Sequence, residues 1–271
     1  MSTTIPPLSA QTLLIEGPDA DGFVHTQFSS DTKALTAGHW QFSAWLDAQG
    51  RVRALFHLAR LTDQRWMLLL RGGDAQSLER ELRKYVFRSR VMFQSDATRF
   101  IVDDQPAALY LATRRDDAIV LGCGDHSIRL SATDVASDRW RLKQIRAGWP
   151  WLPPATMGKF LPPSLSLYRL EAVALDKGCY PGQEIVARLH YRGGNKRHLF
   201  SVELSQEVLD GTVLQTAERS SPLQLLAVAR TASGAEALAV IQEEPALEVT
   251  TGLKLTADDG TAITIHARWP S

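Results

Sequence analysis

The pattern of hydrophobic residues changes near Asn195, and this change constrains the fold more than any other feature of the chain. Before Asn195, strand-like and helix-like segments are mixed. After it, short alternating runs separated by turn residues cover residues 200–204, 223–229, 237–241 and 262–267. Alternation over short, regularly spaced runs is typical of antiparallel β-structure. The sequence therefore predicts an all-β terminal domain, a small barrel.

The region before this change carries strands and helices in mixed order. Periodicity predicts a strand at 13–17 that ends in a Gly-Pro turn, a helix over 19–35 and a hairpin over 41–61 around the turn at 47–50. Further along, it predicts strands at 66–70, 99–102 and 109–112, a helix at 75–86, and a short helix or strand at 138–145. This mixture favours an α+β fold class.

Composition narrows the classes of protein that the chain can belong to. A length of 271 residues fits two or three domains, and 30 basic residues balance 30 acidic ones, so no overall field favours nucleic acid or membrane. The opening MSTTIPPLSA lacks the features of a signal or transit peptide, and no apolar run is long enough to span a membrane. Cys123 and Cys179 are unaccompanied by CxxC spacing, which predicts a cytoplasmic protein without a zinc site, and two thiolates cannot hold an iron–sulfur cluster within one chain.

The stretch LDKGCYPGQEIVARLHYRGGNKRHLF surrounds Cys179. Helix formers predict a helix over 183–190 with Pro181 at its first position, ended by Gly193-Gly194. Cys179 would then precede a helix N-terminus, where unpaired N–H groups and the nearby Lys177 favour a thiolate. The alternative interpretation is a small buried hydrophobic residue in a tight turn.

The same stretch is rich in cations. Five of them occur between positions 177 and 198 against a single acid, Glu184; they are Lys177, Arg188, Arg192, Lys196 and Arg197. This charge pattern fits an anion-binding surface, and it fits an ordinary solvated face equally well.

The cysteine segment resembles the KGCYxGQE signature of the folate-binding YgfZ proteins. That family contains bacterial relatives of the glycine-cleavage T-protein and a mitochondrial iron–sulfur assembly factor. IEGPDADGFVHTQFSSD resembles the N-terminal family segment, and DAQGRVRALFHLARL and RWRLKQIRAGWPWL resemble two others. The matching positions of the N-terminal segment are Gly17, Asp19, Phe23, Gln27 and Asp31. The resemblance covers most of the chain up to about Phe200.

The resemblance implies a T-protein-like α+β fold in which two interleaved α+β domains and a C-terminal β-barrel surround a central folate channel. It places the folate-binding domain at 1–45 and 138–195, the second domain at 46–137 and the barrel at 196–271. The implied cofactor is tetrahydrofolate or a derivative, including polyglutamylated forms.

The resemblance also implies a set of site residues. Trp140 corresponds to a tryptophan that lines the folate site, where an indole can stack on a pterin or benzoyl ring; the alternative is core packing. Cys179 is implied to be a reactive or ligand-sharing thiol. Implied folate-binding residues are Lys177, Tyr180, Gln183, Glu184 and Arg188.

Three positions depart from the family pattern. Where a T-protein has an acidic pair that acts on the folate nitrogen, this chain has Arg53-Ala54-Leu55. A glutamate that recognises the pterin is replaced by Arg146, and an N-terminal tryptophan of some relatives is absent, with Ala10 near that position. Pterin recognition therefore uses other groups here, or the preferred folate differs.

The sequence is compatible with three functions. The first is a folate-dependent accessory protein for iron–sulfur client enzymes or assembly factors, including enzymes that modify tRNA. The second is a folate-dependent aminomethyl- or methyltransferase, which the missing carboxylate opposes. The third is a nucleic-acid binder that uses the basic stretch, where Tyr191 and Phe200 are the only nearby aromatic residues.

Overall fold

A computed structural model describes residues 8–133, 139–244 and 249–270, apart from the side chain of Asp104. The helices are α1 Ala20–Gln27, α2 Ala75–Arg83, α3 Arg139–Arg146 and α4 Gln183–Arg192, with short 3₁₀ helices at Pro154–Thr156 and Pro162–Leu165. The strands of the first half are β1 Ser9–Glu16, β2 His39–Leu46, β3 Val52–Thr62, β4 Arg65–Leu70, β5 Met92–Asp104, β6 Ala112–Arg115, β7 Ala118–Gly122 and β8 Ser127–Ser131. Those of the second half are β9 Arg197–Leu204, β10 Val213–Leu214, β11 Leu223–Thr231, β12 Gly234–Gln242, β13 Lys254–Thr256 and β14 Ala262–Arg268.

The chain forms two compact units. Of the described residues, the first unit contains 8–45, 54–133, 139–140 and 176–181, and the second contains 46–53, 141–175, 182–244 and 249–270. The segment 176–181, which includes Cys179, therefore belongs to the first unit although its neighbours in sequence belong to the second. The mixture of strands and helices confirms the predicted α+β class.

The first unit is built on an eight-stranded sheet with the order β2-β3-β4-β1-β5-β8-β7-β6. The two edges of the sheet meet through a bridge between His39 and Leu111, where Trp40 N donates to Tyr110 O at 2.8 Å. The pairing of these edges removes backbone donors that would otherwise be unpaired. The sheet is therefore strongly curled.

Helices α1 and α2 supply apolar side chains to the core of the first unit. Phe23 of α1 meets Phe93 of β5 edge to face, with ring centroids 5.4 Å apart. Leu78 and Leu82, four residues apart in α2, are both buried in the same cluster. The side chain of Asp74 caps α2 by accepting from Ser77 N at 2.7 Å, as a helix N-terminus requires.

The second unit carries the C-terminal barrel. Its six strands follow the order β10-β11-β12-β9-β14-β13, and a bridge between Thr216 and Ala257 joins the two outer strands. Alternate side chains such as Val202, Leu204 and Ile263 are buried inside it. The predicted all-β terminal domain is therefore confirmed, and β9, β11, β12 and β14 contain the four predicted strands.

The predicted helix over 19–35 was too long. Helix α1 ends at Gln27, because the residues that follow bind strand β2 instead of continuing the helix. Ser29 N donates to Ala44 O at 2.9 Å, and Ser30 Oγ bonds Ser43 Oγ at 2.7 Å. Serine side chains compete well for backbone partners, which explains why apolar spacing overestimated the helix.

Two other local expectations need correction or lie partly beyond the described residues. The strand predicted at 109–112 begins only at Ala112. The segment predicted from 138 is a helix over its described residues, while Asp138 itself lies outside them, as do residues 134–137. The three domain boundaries drawn from the resemblance stay a prediction.

Within the described part of the chain, no helix is long and apolar enough to cross a membrane.

The start of α4 also differs from the sequence-based expectation. The helix begins at Gln183, and Gly182 is its N-cap with φ of 77°, so Pro181 precedes the helix instead of opening it. A Cβ on Gly182 would lie 2.4 Å from Asp47 O and 2.8 Å from Gly50 Cα. Glycine at 182 thus lets the β2–β3 turn closely approach the N-terminal end of α4.

Replacement of Gly182 by alanine should therefore destabilise the protein more than a left-handed backbone alone explains. The matched control is Gly193→Ala at the other end of α4, where φ is 69° but nothing lies within 4 Å of the added Cβ. We expect a loss of about 1 kcal/mol for Gly193→Ala and about 3 kcal/mol for Gly182→Ala, measured by urea unfolding. Equal losses would contradict the close approach to Asp47.

Candidate functional site

The side chain of Lys177 fixes the cysteine segment within the first unit. Its ammonium donates to three backbone carbonyl oxygens, those of His25 and Phe28 at 2.6 Å and that of Ser30 at 2.8 Å. An ammonium has three donors, so these bonds use all of them. The segment 176–181 is thereby tied to the chain that leaves helix α1.

A lysine suits these carbonyls, of which that of His25 lies in the last turn of α1 and the other two follow the helix. The last carbonyl groups of a helix lack intrahelical partners and carry partial negative charge, and a cation there is favourable. Burial lowers the pKa of Lys177 to about 8, whereas the three oxygen acceptors favour the ammonium form. The charge of Lys177 also lowers the pKa of His25, after burial of the ring as the larger cause.

Within this segment, Cys179 and Tyr180 have opposite environments. Tyr180 is 6% exposed, and its ring lies 5.1 Å from Lys177 Nζ, within the range of a cation–π contact. Cys179 is exposed. The interpretation of Cys179 as a small buried residue is therefore wrong. That description fits Cys123, which is buried and whose pKa burial raises to about 12.

The remaining predicted folate ligands on α4 belong to the second unit. Gln183 is half-buried, with its side-chain amide donating to Leu175 O at 3.4 Å, whereas Glu184 and Arg188 are exposed. The structure thus brings Lys177, Cys179 and Tyr180 into one segment of the first unit and arranges the other three along one helix. Their roles stay predictions.

Trp140 belongs to the first unit and is only 2% exposed. An indole that stacks on a ligand needs an accessible ring face, so a folate-binding role requires a local opening around Trp140. The interpretation as core packing requires none. Both interpretations remain predictions that a variant can separate.

Of the positions that depart from the T-protein pattern, Arg146 has a partner within the protein. Arg146 binds Glu236 of strand β12 through two bonds, with Nε to Oε2 at 2.8 Å, and the pKa of Arg146 is raised mainly by this hydrogen bond. The pair links α3 to the barrel within the second unit. Arg53 is exposed, whereas Ala54 and Leu55 are buried. None of these three residues carries a carboxylate.

Gln27 is a functional candidate to which sequence reasoning assigned no role. It was one of the matching positions in the N-terminal segment, between two carbonyls that bind Lys177. Its Oε1 is buried without a hydrogen-bond donor. A pterin carries N–H groups that could satisfy such an acceptor, so this residue fits a folate ligand.

A separate cavity of about 430 Å³ opens on the sheet of the first unit, between the faces of β1, β4 and β5 and the β6–β7 hairpin. Its lining includes Leu14, Met67, Arg99 and Arg114. None of the predicted site residues contributes to it. This cavity is therefore distinct from the cysteine segment.

Comparisons with known proteins agree with the motifs. No protein-family model matches the chain. It is 29% identical over 224 residues to an uncharacterized protein of Haemophilus influenzae, covering 79% of each chain. It is 28% identical over 229 residues to the tRNA-modifying protein YgfZ of Edwardsiella ictaluri, covering 72% of this chain and 69% of that one.

A solved structure shows the fold. The chain matches the glycine cleavage system aminomethyltransferase T of Bartonella henselae with a TM-score of 0.72 and 16% identity, over 96% of this chain and 84% of that one. The predicted T-protein-like fold is confirmed. The relative named YgfZ confirms the resemblance that the motifs predicted, and the solved structure shows the fold.

Lys177→Met tests the tie between the cysteine segment and α1. Methionine keeps a straight chain of similar length but leaves three carbonyl oxygens without their donor, so we expect a loss of roughly 3 kcal/mol in the free energy of unfolding. Lys33→Met, at an exposed position in the same unit, should change it by less than about 0.5 kcal/mol. Equal effects of the two variants in urea unfolding would show that the three bonds contribute little.

Proposed function

We propose that this YgfZ-like and T-protein-like chain is a tetrahydrofolate-binding accessory protein that supports iron–sulfur enzymes, including enzymes that modify tRNA. Cys179 is its reactive or ligand-sharing thiol. One relative carries the name tRNA-modifying protein, which supports a role connected with tRNA modification. The T-protein-like fold supports a folate ligand.

One observation carries the proposal. Lys177 binds three carbonyls while Tyr180 is buried, and the cysteine between these two fixed residues is exposed. A thiol that only fills space would be buried, whereas a thiol that meets a client protein or a shared metal has to be accessible. The fixed segment presents Cys179 without the entropic cost of ordering a mobile loop.

The folate part of the proposal rests on side chains that fit the cofactor. Gln27 Oε1 is a buried acceptor that lacks a donor. The other groups proposed to hold the ligand are Trp140, Tyr180, Gln183, Glu184 and Arg188, while the ammonium of Lys177, also predicted as a ligand, binds backbone carbonyls. Tetrahydrofolate, when bound, supplies amine nitrogens that carry one-carbon groups. The protein's own part is to bind and orient it.

A second candidate, a folate-dependent aminomethyl- or methyltransferase, is favoured by the fold alone. Proton transfer at a folate nitrogen needs a general acid or base, and the position that supplies it in a T-protein has no carboxylate here. We expect the purified protein to bind tetrahydrofolate but to form no methylene-tetrahydrofolate from an aminomethyl donor. Turnover at rates typical of enzymes would establish the second candidate instead.

The role of Trp140 is tested by comparing two replacements of similar volume. Trp140→Phe keeps an aromatic face and Trp140→Leu removes it, while both leave a comparable cavity at this buried position. If the indole stacks on folate, the affinity of the Leu variant should be lower than that of the Phe variant by about 0.5 to 1.5 kcal/mol in calorimetric titration. Equal affinities in two folded variants would assign Trp140 to core packing.

Cys179→Ser should separate thiol chemistry from folate binding. Serine is nearly isosteric but cannot form a thiolate near neutral pH, so folate affinity should be unchanged. Complementation of a strain that lacks the protein, read from the activity of an iron–sulfur tRNA-modifying enzyme, should fall at least about tenfold, the scale of an essential group.

Cys123→Ser is the matched control for this experiment. Cys123 is the other cysteine, and its buried thiol has a raised pKa, so its replacement should preserve complementation. Alkylation of the folded protein at pH 8 should modify Cys179 and spare Cys123. Full complementation by folded Cys179→Ser would refute an essential thiol.

A further inference from the structure

Three cations at the C-terminal end of α4, in the turn after it and at the start of β9 form an exposed basic surface, which we call the basic tip. They are Arg192, Lys196 and Arg197. Among the residues that the structure describes, no carboxylate forms an ion pair with any of them. Arg197 Nε reaches only a neutral acceptor, Gln242 Oε1, at 3.4 Å.

Several other arginines of the second unit do have acidic partners, although the exposed Arg53 and Arg188 have none among the described residues. Arg146 pairs with Glu236, Arg230 with Glu207 and Arg268 with Glu243. A chain with equal numbers of acids and bases has enough carboxylates to neutralise the basic tip. The helix dipole explains a cation at Arg192, in the last turn of α4. It does not explain Lys196 and Arg197, which follow the helix.

Hydrogen bonds of Asn195 tie the turn between α4 and β9 to the residues around it. Asn195 Nδ2 donates to Arg197 O at 2.6 Å, while its Oδ1 accepts from Ser164 Oγ at 2.9 Å. The backbone at Gly193 and Gly194 has positive φ, and no atom lies within 4 Å of the position of a Cβ on either residue. A ligand can therefore approach the main chain here without meeting a side chain.

An aromatic face adjoins the basic tip. Tyr191 is 76% exposed, and its ring packs edge to face on His190 with centroids 5.1 Å apart. His190 in turn packs on Tyr168, whose hydroxyl donates to Val186 O at 3.1 Å. This chain of contacts supports an exposed ring that could otherwise turn freely.

We propose that the basic tip and Tyr191 bind a single-stranded segment of RNA. The cations contact phosphates, and an unpaired base stacks on Tyr191. Charges that lack acidic partners and adjoin an exposed, supported aromatic ring are the combination that single-stranded nucleic acid recognises. The proposal goes beyond folate binding and thiol chemistry, and none of its residues belongs to the proposed folate site.

The scarcity of aromatic residues near the basic stretch weighed against this function in the sequence. Two features of the structure bear on it. Lys177 is not among the cations that can contact phosphates, because its three donors bind backbone carbonyls. Tyr191 is directed to solvent beside the remaining cations, so a single aromatic residue is well placed.

The test measures binding of the full-length protein to a fluorescent single-stranded oligoribonucleotide of about 12 nucleotides by anisotropy. The triple variant Arg192→Gln, Lys196→Gln and Arg197→Gln should lower the affinity at least about tenfold at low salt. The slope of log K against log salt should fall in magnitude by roughly 2, as expected for three lost phosphate contacts to a single strand. Folate affinity should not change, so failure here is distinct from failure of the proposed function.

A charge-matched control removes three exposed cations elsewhere, with Arg88→Gln, Lys159→Gln and Lys254→Gln. It should bind RNA like the unmodified protein. An equal loss in both triple variants, or no loss in either, would overturn the proposal. A glutamate oligopeptide is a second control. If it competes as effectively as an oligoribonucleotide of equal charge, the proposal is also overturned, because the surface would then be a general polyanion site or a site for the folate tail.

Tyr191→Leu tests the stacking contact separately. Leucine keeps an apolar side chain but has no aromatic face, so affinity for the single strand should fall about fivefold or more while affinity for a duplex of equal length stays constant. If Tyr191→Leu binds the single strand and the duplex as tightly as the unmodified protein does, Tyr191 has no stacking role.

Discussion

The three hydrogen bonds of the Lys177 ammonium are the interaction on which the candidate site depends. They use the donors of a partly buried cation and bind one carbonyl in the last turn of α1, that of His25, and two in the chain that follows the helix. One side chain therefore fixes both the end of α1 and the segment that exposes Cys179. An uncharged side chain at position 177 would leave those carbonyls without this donor. Lys177 therefore has a structural role that is independent of any ligand.

The second constraint acts on backbone geometry at the end of the same motif. Gly182 is close to the carbonyl of Asp47 and to Gly50, which leaves no space for a Cβ. The two glycines let the β2–β3 turn and the start of α4 pack together within the second unit. The motif thus contains one residue chosen for charge, Lys177, one for accessibility, Cys179, and one for the absence of a side chain, Gly182.

Most of the strands and the fold class were predictable from the sequence, since alternation of apolar residues determines which face of a strand is buried. The errors have local causes that periodicity does not report. Ser29 and Ser30 pair with strand β2 and end α1 early, and the positive φ of Gly182 delays the start of α4. The exposure of Cys179 and the carbonyl partners of Lys177 were not predictable, because they depend on residues about 150 positions away in the chain.

The departures from the T-protein pattern have a common physical consequence. Arginine replaces a ligand-binding glutamate at position 146, and its charge is balanced by Glu236 within the protein, so it adds no free cation for a ligand. Among the described residues, the cations of the basic tip have no carboxylate partner, and neither does the exposed Arg53, which stands where the T-protein pattern has an acidic residue. Both departures therefore place a cation where that pattern has a carboxylate. Only at Arg146 is the added charge balanced within the protein.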